Sequence, residues 1–419
     1  MKESSRLNSI FSFKEFFDRI GFGTGSQQFI NILFFIIGAA PWLIFFINSL
    51  RVLFSTILSS FFKSINSLKG ISKSFISFSG FIYGFSFLGI AFATLTKSLF
   101  LFILSFFIGI LGVVTYGDSY YSLLNSKLPK ERRNFFLRKI GKFGVFLSGL
   151  AILFSGYLMD VIPVFGIPVS ILGVEFTGYG YLFVFEITAI SFILSGYALS
   201  FLKDDKRIGL RKTSIVLQTH YKKLVSSIKK LCSNRVILMV TFAGSLSAFS
   251  QTLANSFYGI YIYKFFGNSF LTVSIIFLFA LLGIPLGLEI GKFFSRKVGV
   301  FPLLIFGSLT LALAPFTYYF STNIIIIGIG TFIGFVGSAI VGISSSILSS
   351  KLLSESEKKN FYDTSSIMMI LPYLLFIPLC SFLLFTANLK IAFLIASLLL
   401  IMFVTPIYFI LLITQSKYN

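Results

Sequence analysis

The sequence predicts an all-α polytopic membrane protein, with twelve transmembrane helices in two six-helix, pseudo-symmetric halves. Of its 419 residues, 56% are hydrophobic and only 12% are charged, whereas a soluble domain carries roughly 25% charged residues. Apolar runs long enough to cross a bilayer recur along the whole chain. The second half of the chain also repeats features of the first, which indicates an internal duplication.

Charged residues separate the apolar runs, and about 20 apolar residues suffice for one helix to cross the hydrocarbon layer. The predicted spans are residues 15–37, 40–62, 74–95, 98–124, 143–161, 179–201, 236–262, 270–290, 301–320, 324–349, 363–385 and 391–413. Hydropathy alone does not separate the first two spans, because residues 29–62 are almost uninterrupted apolar sequence. An alternative division takes 29–49 as the first span and leaves Arg51 in a loop.

The internal repeat decides between these two divisions. Gly38 and Gly70 are separated by the same 32 residues as Gly267 and Gly299. In both copies a short turn of small residues precedes an apolar span, and a basic loop that ends in glycine follows it. The repeat therefore ends the first span before Gly38 and places Arg51 near the middle of the second span.

A second pair of segments supports the duplication. Residues 126–135 carry SKL followed by RRNF, and residues 350–361 carry SKL followed by KKNF. Both pairs of matching segments are about 225 residues apart. We therefore expect an N-terminal half at 1–201, a basic cytoplasmic connector at 202–235 and a C-terminal half at 236–419.

The net charge of +21 is distributed unevenly along the chain. The connector from Lys203 to Arg235 contains ten Lys and Arg residues, whereas the predicted outside loops contain only Lys97, Lys264 and Lys390. Cytoplasmic loops of membrane proteins carry this excess of positive charge. We therefore expect both termini in the cytoplasm and a plasma-membrane location. We also expect the basic surface to contact the lipid bilayer and not nucleic acid.

The rare residue types argue against an enzyme. Cys232, Cys380 and His220 are the only cysteines and the only histidine, and their spacing forms neither a disulfide framework nor a metal site. The sequence also lacks the glycine-rich phosphate loop of nucleotide-hydrolysing proteins. No catalytic residue, metal or cofactor is predicted.

One basic loop carries a family motif. Between the second and third spans of the C-terminal half the sequence has Gly291, Arg296 and Gly299. This loop resembles the Gly-x-x-x-Asp-Arg-x-Gly-Arg segment of the major facilitator superfamily, although Ser295 replaces the aspartate and the closing glycine lies one position late. The arrangement of six spans, basic connector and six spans is also similar to that family.

The loop after the fourth span resembles another segment of the same family, Pro-x-x-x-Arg-Gly. Here the sequence has Pro129, Arg132 and Arg133, and Asn134 stands in place of the glycine. The Gly-x-x-x-Gly-Pro antiporter signature is not visible in the fifth span. The resemblance implies a transporter in which two halves alternate access to a central site without consuming nucleotide. We expect the protein to be a monomer.

Charged residues inside the predicted spans are candidates for this transport. Placing a charged residue in a span costs at least about 2.5–3.5 kcal/mol of insertion free energy, so each such residue is expected to have a structural or functional role. Arg51 needs a carboxylate, an anionic substrate or water, and Asp118 is a candidate to pair with it or to carry a coupling proton. A structural role is the alternative for both. Glu186, Glu289 and the Asp18–Arg19 pair are more typical of peripheral or anchoring positions.

Uncharged polar residues are concentrated in the first span of each half. They are Gln27, Gln28 and Asn31 in the N-terminal half, and Ser247, Ser250, Gln251 and Asn255 in the C-terminal half. Ser247, Gln251 and Asn255 are four residues apart and therefore share one helix face. This pattern favours a cavity lining that hydrogen-bonds a polar solute, and polar packing between helices is the alternative.

These observations favour a secondary active transporter for a small solute, with the proton as candidate coupling ion. Two other functions fit parts of the pattern: an integral membrane enzyme that acts on lipid, and a non-transporting receptor or assembly protein on the same fold. The enzyme would need clustered carboxylates or histidines at the membrane-facing loops. The identity of the solute does not follow from the sequence, although Arg51 would suit a carboxylate or a phosphate.

Overall fold

The predicted fold class is confirmed by a computed structural model of the chain. It describes residues 2–66, 73–165, 167–171, 174–202, 235–352, 355–386 and 388–416. Helices occupy nearly all of these ranges, and they follow the predicted spans. In hydrocarbon a helix satisfies all of its own backbone hydrogen bonds, which is why long apolar segments become helices.

The helices before the connector lie where the first six spans were predicted. They are α1 (Lys2–Thr24), α2 (Gln27–Ile36), α3 (Pro41–Asn66), α4 (Lys73–Leu95), α5 (Leu99–Lys127), α6 (Lys130–Phe165) and α7 (Gly180–Ser200). The predicted connector lies almost wholly outside the described residues. Residues 126–135, the first copy of the repeated segment, cover the end of α5 and the start of α6.

The helices after the connector continue the same pattern. They are α8 (Arg235–Asn255), α9 (Tyr258–Phe265), α10 (Phe270–Ser295), α11 (Val300–Phe320), α12 (Ile324–Leu352), α13 (Glu355–Thr386), α14 (Lys390–Leu399) and α15 (Thr405–Ser416). A π-helical turn, Leu400–Val404, joins α14 to α15 without a break.

Eleven helical stretches within the described chain are long and apolar enough to cross a membrane, so the protein is an integral membrane protein. The predicted first span is not among them, because it is divided between the polar helix α1 and the ten-residue helix α2.

A short β-hairpin, which the sequence analysis did not predict, lies between α6 and α7. Strands β1 (Ile167–Ile171) and β2 (Val174–Gly178) pair antiparallel, with Ile167 opposite Gly178 and Ile171 opposite Val174. A hairpin satisfies the backbone of this connection by pairing between the strands, where an open loop would depend on water.

The first span of each half is interrupted inside the membrane-length segment. In the N-terminal half the interruption is at Gly25 and Ser26, between α1 and α2. A Cβ atom on Gly25 would lie 2.6 Å from the Phe87 ring and 2.7 Å from the Thr188 methyl group. Glycine is therefore needed for the chain to approach α4 and α7 this closely.

The C-terminal half is interrupted at the corresponding place, between Asn255 and Tyr258. The similarity continues to the end of each span, because Gly38 and Gly267 both adopt a left-handed backbone, with φ of +100° and +86°. Only glycine adopts this conformation without strain. The repeat found in the sequence thus joins equivalent turns of the structure.

The chain forms two compact units that do not coincide with its two halves. One unit comprises Met1–Ala39, Ile57–Leu217 and Phe265–Leu278, and the other comprises Ala40–Thr56, Gln218–Lys264 and Phe279–Asn419. The first unit has a buried apolar core that includes Phe11, Tyr116, Tyr120, Phe136 and Leu199. The second has a core that includes Leu246, Phe301, Leu304, Val404 and Tyr408.

Within the first unit, Asp160 near the end of α6 caps the start of α10. Its carboxylate accepts hydrogen bonds from the Ser269 hydroxyl at 2.6 Å and from the backbone N–H groups of Phe270 at 2.8 Å and Leu271 at 2.9 Å. The first N–H groups of a helix have no partner inside it and carry partial positive charge, so a carboxylate stabilises them.

We predict that Asp160→Ala destabilises the protein by about 1–2 kcal/mol, because three donors lose their acceptor. The melting temperature of the full-length protein in detergent should fall. Asp160→Asn keeps one oxygen, so it should lower the melting temperature less. Glu289→Gln is the matched control, since the Glu289 side chain is 71% exposed. Equal melting temperatures for Asp160→Ala and the wild type would contradict the capping role.

Candidate functional site

A cluster of buried charges lies on α1 and is the most polar feature of the first unit. Lys14 and Asp18 form an ion pair one turn apart, with side chains only 3% and 4% exposed. The Lys14 nitrogen is also 3.6 Å from one Glu15 oxygen, and Arg19 is 3.5 Å from the other. Two bases and two acids thus balance one another where an unpaired charge would be costly.

Side chains from α5 and α7 complete this α1 charge cluster. The Tyr116 hydroxyl donates to the Asp18 carboxylate at 2.9 Å, and the Ser195 hydroxyl donates to the same oxygen at 2.5 Å. The Lys14 ammonium lies 3.2 Å from the centre of the Tyr120 ring, a cation–π arrangement. Asp18 therefore connects three helices through one carboxylate.

The charged candidates from the sequence have different surroundings. Asp18 was expected at an anchoring position, but it is buried in the α1 charge cluster. Glu186 is exposed on α7, and Glu289 is exposed and lies 3.6 Å from Lys292. Asp118 is part of helix α5, and its side chain lies outside the described part of the structure.

A row of amides begins directly after the interruption of the first span. Gln28 and Asn31 are buried, at 7% and 2% exposure, and Gln27 donates from its amide nitrogen to the Asn31 oxygen at 2.9 Å. Just before the interruption, Thr188 of α7 donates to the Thr24 hydroxyl at 2.7 Å. Hydrogen-bonding groups are thus gathered around the broken helix.

A second row of polar groups lies on α8 in the second unit. Gln251 accepts a hydrogen bond from Ser338 of α12 at 3.1 Å and donates to Ser247 at 3.4 Å. The neighbouring Thr252 hydroxyl is 2.7 Å from the Tyr373 hydroxyl of α13. Gln251, on the predicted polar face, is therefore connected to α12, and the neighbouring Thr252 is connected to α13.

Two further candidates belong to the second unit. Arg51 lies within α3, as the repeat predicted, and is half-buried. Asn255 is the last residue of α8 and is also half-buried, next to the interruption before α9. The predicted pairing of Arg51 with Asp118 involves a side chain, that of Asp118, outside the described part of the structure.

The loop residues that resemble the family motifs occupy helix junctions. Gly291 is buried in α10, where a Cβ atom would overlap the Ile343 side chain of α12. Gly299 has a φ of +93° and precedes α11, so only glycine fits there without strain. The remaining members, Arg296, Pro129, Arg132 and Arg133, are exposed or half-buried at helix ends.

The described side chains do not gather three His, Cys, Asp or Glu residues in a geometry that could hold a metal ion. The α1 charge cluster is instead an ion-pair network with hydroxyl donors. This network was not predicted from the sequence, although Lys14–Asp18 and Glu15–Arg19 both have the i, i+4 spacing of helical ion pairs.

We predict that Lys14→Met destabilises the protein by about 3–5 kcal/mol, because it leaves buried carboxylates without their counter-charge. Adding Asp18→Asn should restore part of the loss. Thermal unfolding of the full-length protein in detergent measures both effects. The control is Lys292→Met, whose exposed ion pair contributes at most about 1 kcal/mol. Equal shifts for Lys14→Met and Lys292→Met would refute a stabilising buried network.

No protein-family model matches the sequence, and no curated protein matches it either. Solved structures are nevertheless similar in fold over nearly their whole length. A mutant of the nucleoside transporter NupG has a TM-score of 0.72 at 14% identity, covering 96% of this chain and 98% of that chain.

Two other transporters give comparable agreement. A bacterial homologue of the human lysosomal transporter Spinster, in an inward-facing and unoccupied conformation, has a TM-score of 0.68 at 14% identity, with 97% and 95% of the two chains covered. Tetrameric PepTSo2 has a TM-score of 0.65 at 13% identity, with 99% of each chain covered. The chain therefore has the fold of the major facilitator superfamily transporters, as its repeat and loop residues predicted.

Proposed function

We propose that the protein is a secondary transporter that moves a small polar solute across the membrane by alternating access. One observation carries this proposal: the first span of each half is interrupted, and hydrogen-bonding side chains are gathered at both interruptions. Broken helices at membrane depth are where transporters bind solutes and coupling ions, because unwound backbone and helix ends supply polar groups there. The three similar solved structures described above are transporters, which supports the same function over an enzyme.

The polar rows favour a solute that accepts and donates hydrogen bonds. Gln27, Gln28, Asn31 and Gln251 each offer an amide, with both a donor and an acceptor. In hydrocarbon such groups need hydrogen-bond partners. A solute with hydroxyl, amide or charged groups offers donors and acceptors that match them.

The transport proposal is tested with full-length protein in liposomes. The vesicles are incubated in a mixture of sugars, nucleosides, amino acids, dipeptides and organic acids, and their contents are measured by mass spectrometry. At least one solute should enter above the level in protein-free liposomes. Gln251→Leu should reduce its uptake about tenfold, the effect of losing one buried hydrogen bond. Thr414→Val, on an exposed helix face, is the matched control.

If uptake equals that of protein-free liposomes for every solute, the transport function is contradicted and the receptor or assembly role is favoured. Conversion of a solute or lipid during the incubation would instead favour the membrane enzyme.

We further propose that the α1 charge cluster carries the coupling proton. Glu15 and Asp18 share the ammonium group of Lys14, so a proton on either carboxylate changes the pairing of both. Tyr116 and Ser195 donate to Asp18, and a protonated Asp18 would need one of these hydroxyls to turn and accept. Protonation would thus be felt on α5 and α7. Asp118, on the same helix as Tyr116, is the alternative carrier.

The coupling proposal predicts that Asp18→Asn abolishes accumulation of the solute in response to a pH gradient, while solute exchange at equal pH continues. Vesicles with and without a pH difference separate the two properties. Asp118→Asn is tested alongside. Loss of accumulation in Asp118→Asn alone would move the coupling role to that residue, and normal accumulation in both variants would exclude the two carboxylates.

We also propose that both chain ends face the cytoplasm of a plasma membrane and that the protein is a monomer. The support for the orientation is the concentration of Lys and Arg in alternate loops, which the positive-inside rule places in the cytoplasm. The monomer is the expectation from the sequence, although the similar structure of PepTSo2 is a tetramer.

A further inference from the structure

The end of α10 exposes apolar and basic side chains next to each other. Phe293, Phe294 and Val298 are 55%, 41% and 54% exposed. Arg296 and Lys297, in the turn between α10 and α11, are exposed as well. We call these five residues the α10-end patch. Because large apolar side chains are unfavourable in water, their exposure at the end of a membrane-length helix indicates contact with lipid.

The length of α10 places this patch at the level of the lipid headgroups. The helix Phe270–Ser295 has 26 residues and is therefore about 39 Å long. The hydrocarbon layer is about 30 Å thick, and the bilayer with its headgroups is about 40–45 Å thick. The helix thus extends beyond the hydrocarbon, and basic side chains at such an end reach the headgroups while their apolar neighbours remain in contact with acyl chains.

The positive charge of the patch is not balanced by the protein around it. Glu289 is the one acidic side chain that the structure describes in the second unit, and it lies 3.6 Å from Lys292. Arg296 and Lys297 make no ion pair in the described part of the chain. The family motif has an aspartate where this loop has Ser295, whose neutral hydroxyl bonds to a backbone carbonyl. Two bases of the patch therefore lack a counter-charge.

Aromatic contacts fix the lysine of the patch beside its apolar surface. The Lys297 ammonium lies 4.3 Å from the centre of the Phe293 ring, within cation–π distance. The Phe293 and Phe294 rings pack edge to face, with their centres 5.1 Å apart. The backbone N–H groups of Lys297 and Val298 both bond to the Phe294 carbonyl, which closes the turn. A cation and an apolar surface are thus held together, and a lipid presents the complementary pair, a phosphate and an acyl chain.

We infer that the α10-end patch binds an anionic phospholipid, with Arg296 and Lys297 at its headgroup and the two phenylalanine rings against its acyl chains. The inference does not depend on the transport function. A guanidinium group presents paired N–H donors that match phosphate oxygens. The phosphate of phosphatidylcholine is balanced by the lipid's own ammonium group. An anionic lipid has no such internal cation, so it gains more from two bases that lack a counter-charge.

The test places a fluorescent reporter in the patch. Trp42 is the only tryptophan of the chain, so Trp42→Phe combined with Phe293→Trp leaves one tryptophan, at the patch. Tryptophan also keeps the cation–π contact. This full-length reporter protein is reconstituted in mixtures of phosphatidylglycerol and phosphatidylcholine in which one of the two lipids has brominated acyl chains. Bromine quenches tryptophan fluorescence on contact, so the quenching gives the relative binding constant of the two lipids at the patch.

The variants are made in the reporter protein. Arg296→Gln and Lys297→Gln, singly and together, remove the bases that lack a counter-charge. The matched control is Glu289→Gln with Lys292→Gln, which replaces two charged residues at the same helix end and leaves the net charge unchanged.

We expect phosphatidylglycerol to bind the reporter protein about 5- to 25-fold more tightly than phosphatidylcholine, with about fivefold from each base. Each single variant should lose about one fivefold factor, and the double variant should bind both lipids equally. The matched control should keep the preference. Added sodium chloride should weaken the preference, because salt screens exposed charges.

Equal binding of the two lipids to the reporter protein would overturn the inference, and so would tighter binding of phosphatidylcholine, whose quaternary ammonium could itself lie on the aromatic rings. An equal loss of preference in the matched control and in the double variant would also overturn it. If glycerol 1-phosphate lowers the preference more than sodium chloride of the same ionic strength, the patch is a site for a soluble phosphate and the lipid is excluded. Each of these outcomes leaves the transport function untouched.

Discussion

The lack of water in the hydrocarbon layer is the constraint on which this structure depends. Every buried backbone group must find a partner inside the protein, and long apolar segments meet that requirement as helices. The two interrupted spans follow the same rule. At the first, the N–H groups of Phe29 and Ile30 both bond to the Ser26 carbonyl. At the second, the Ser256 hydroxyl bonds to the Thr252 carbonyl. The helices are interrupted, but the backbone groups at these positions still find partners.

The buried polar groups of the two units meet this constraint in different ways. In the first unit Lys14 and Asp18 neutralise each other, and their hydroxyl and aromatic partners come from other helices. In the second unit uncharged groups such as Gln251 and Ser338 bond to one another between helices. A self-balanced network keeps its charges paired inside the protein, whereas the neutral groups of the second unit need only hydrogen-bond partners.

The sequence predicted the helices well because hydropathy and repeat spacing are local signals. The repeat correctly placed Arg51 inside α3 and equated the turns at Gly38 and Gly267. The α1 charge cluster was missed because Asp18 meets Ser195 only through folding, 177 residues away along the chain. The β-hairpin was missed because its strands are only five residues each. Alternating apolar and polar residues between Gly166 and Gly178 were the signal that was available.

Segments 40–56 and 265–278 pack in units formed mainly by the opposite half of the chain. Segment 40–56 follows Gly38, and segment 265–278 begins just before the equivalent Gly267. Each half thus contributes a segment to the unit formed mainly by the other half. Domain swapping produces such reciprocity between two copies of one chain, and here a single polypeptide contains both participants. Cleavage of the connector would therefore yield two fragments that are complementary, not autonomous: each holds a piece that the other requires, so they should assemble when produced together and be incomplete when produced apart.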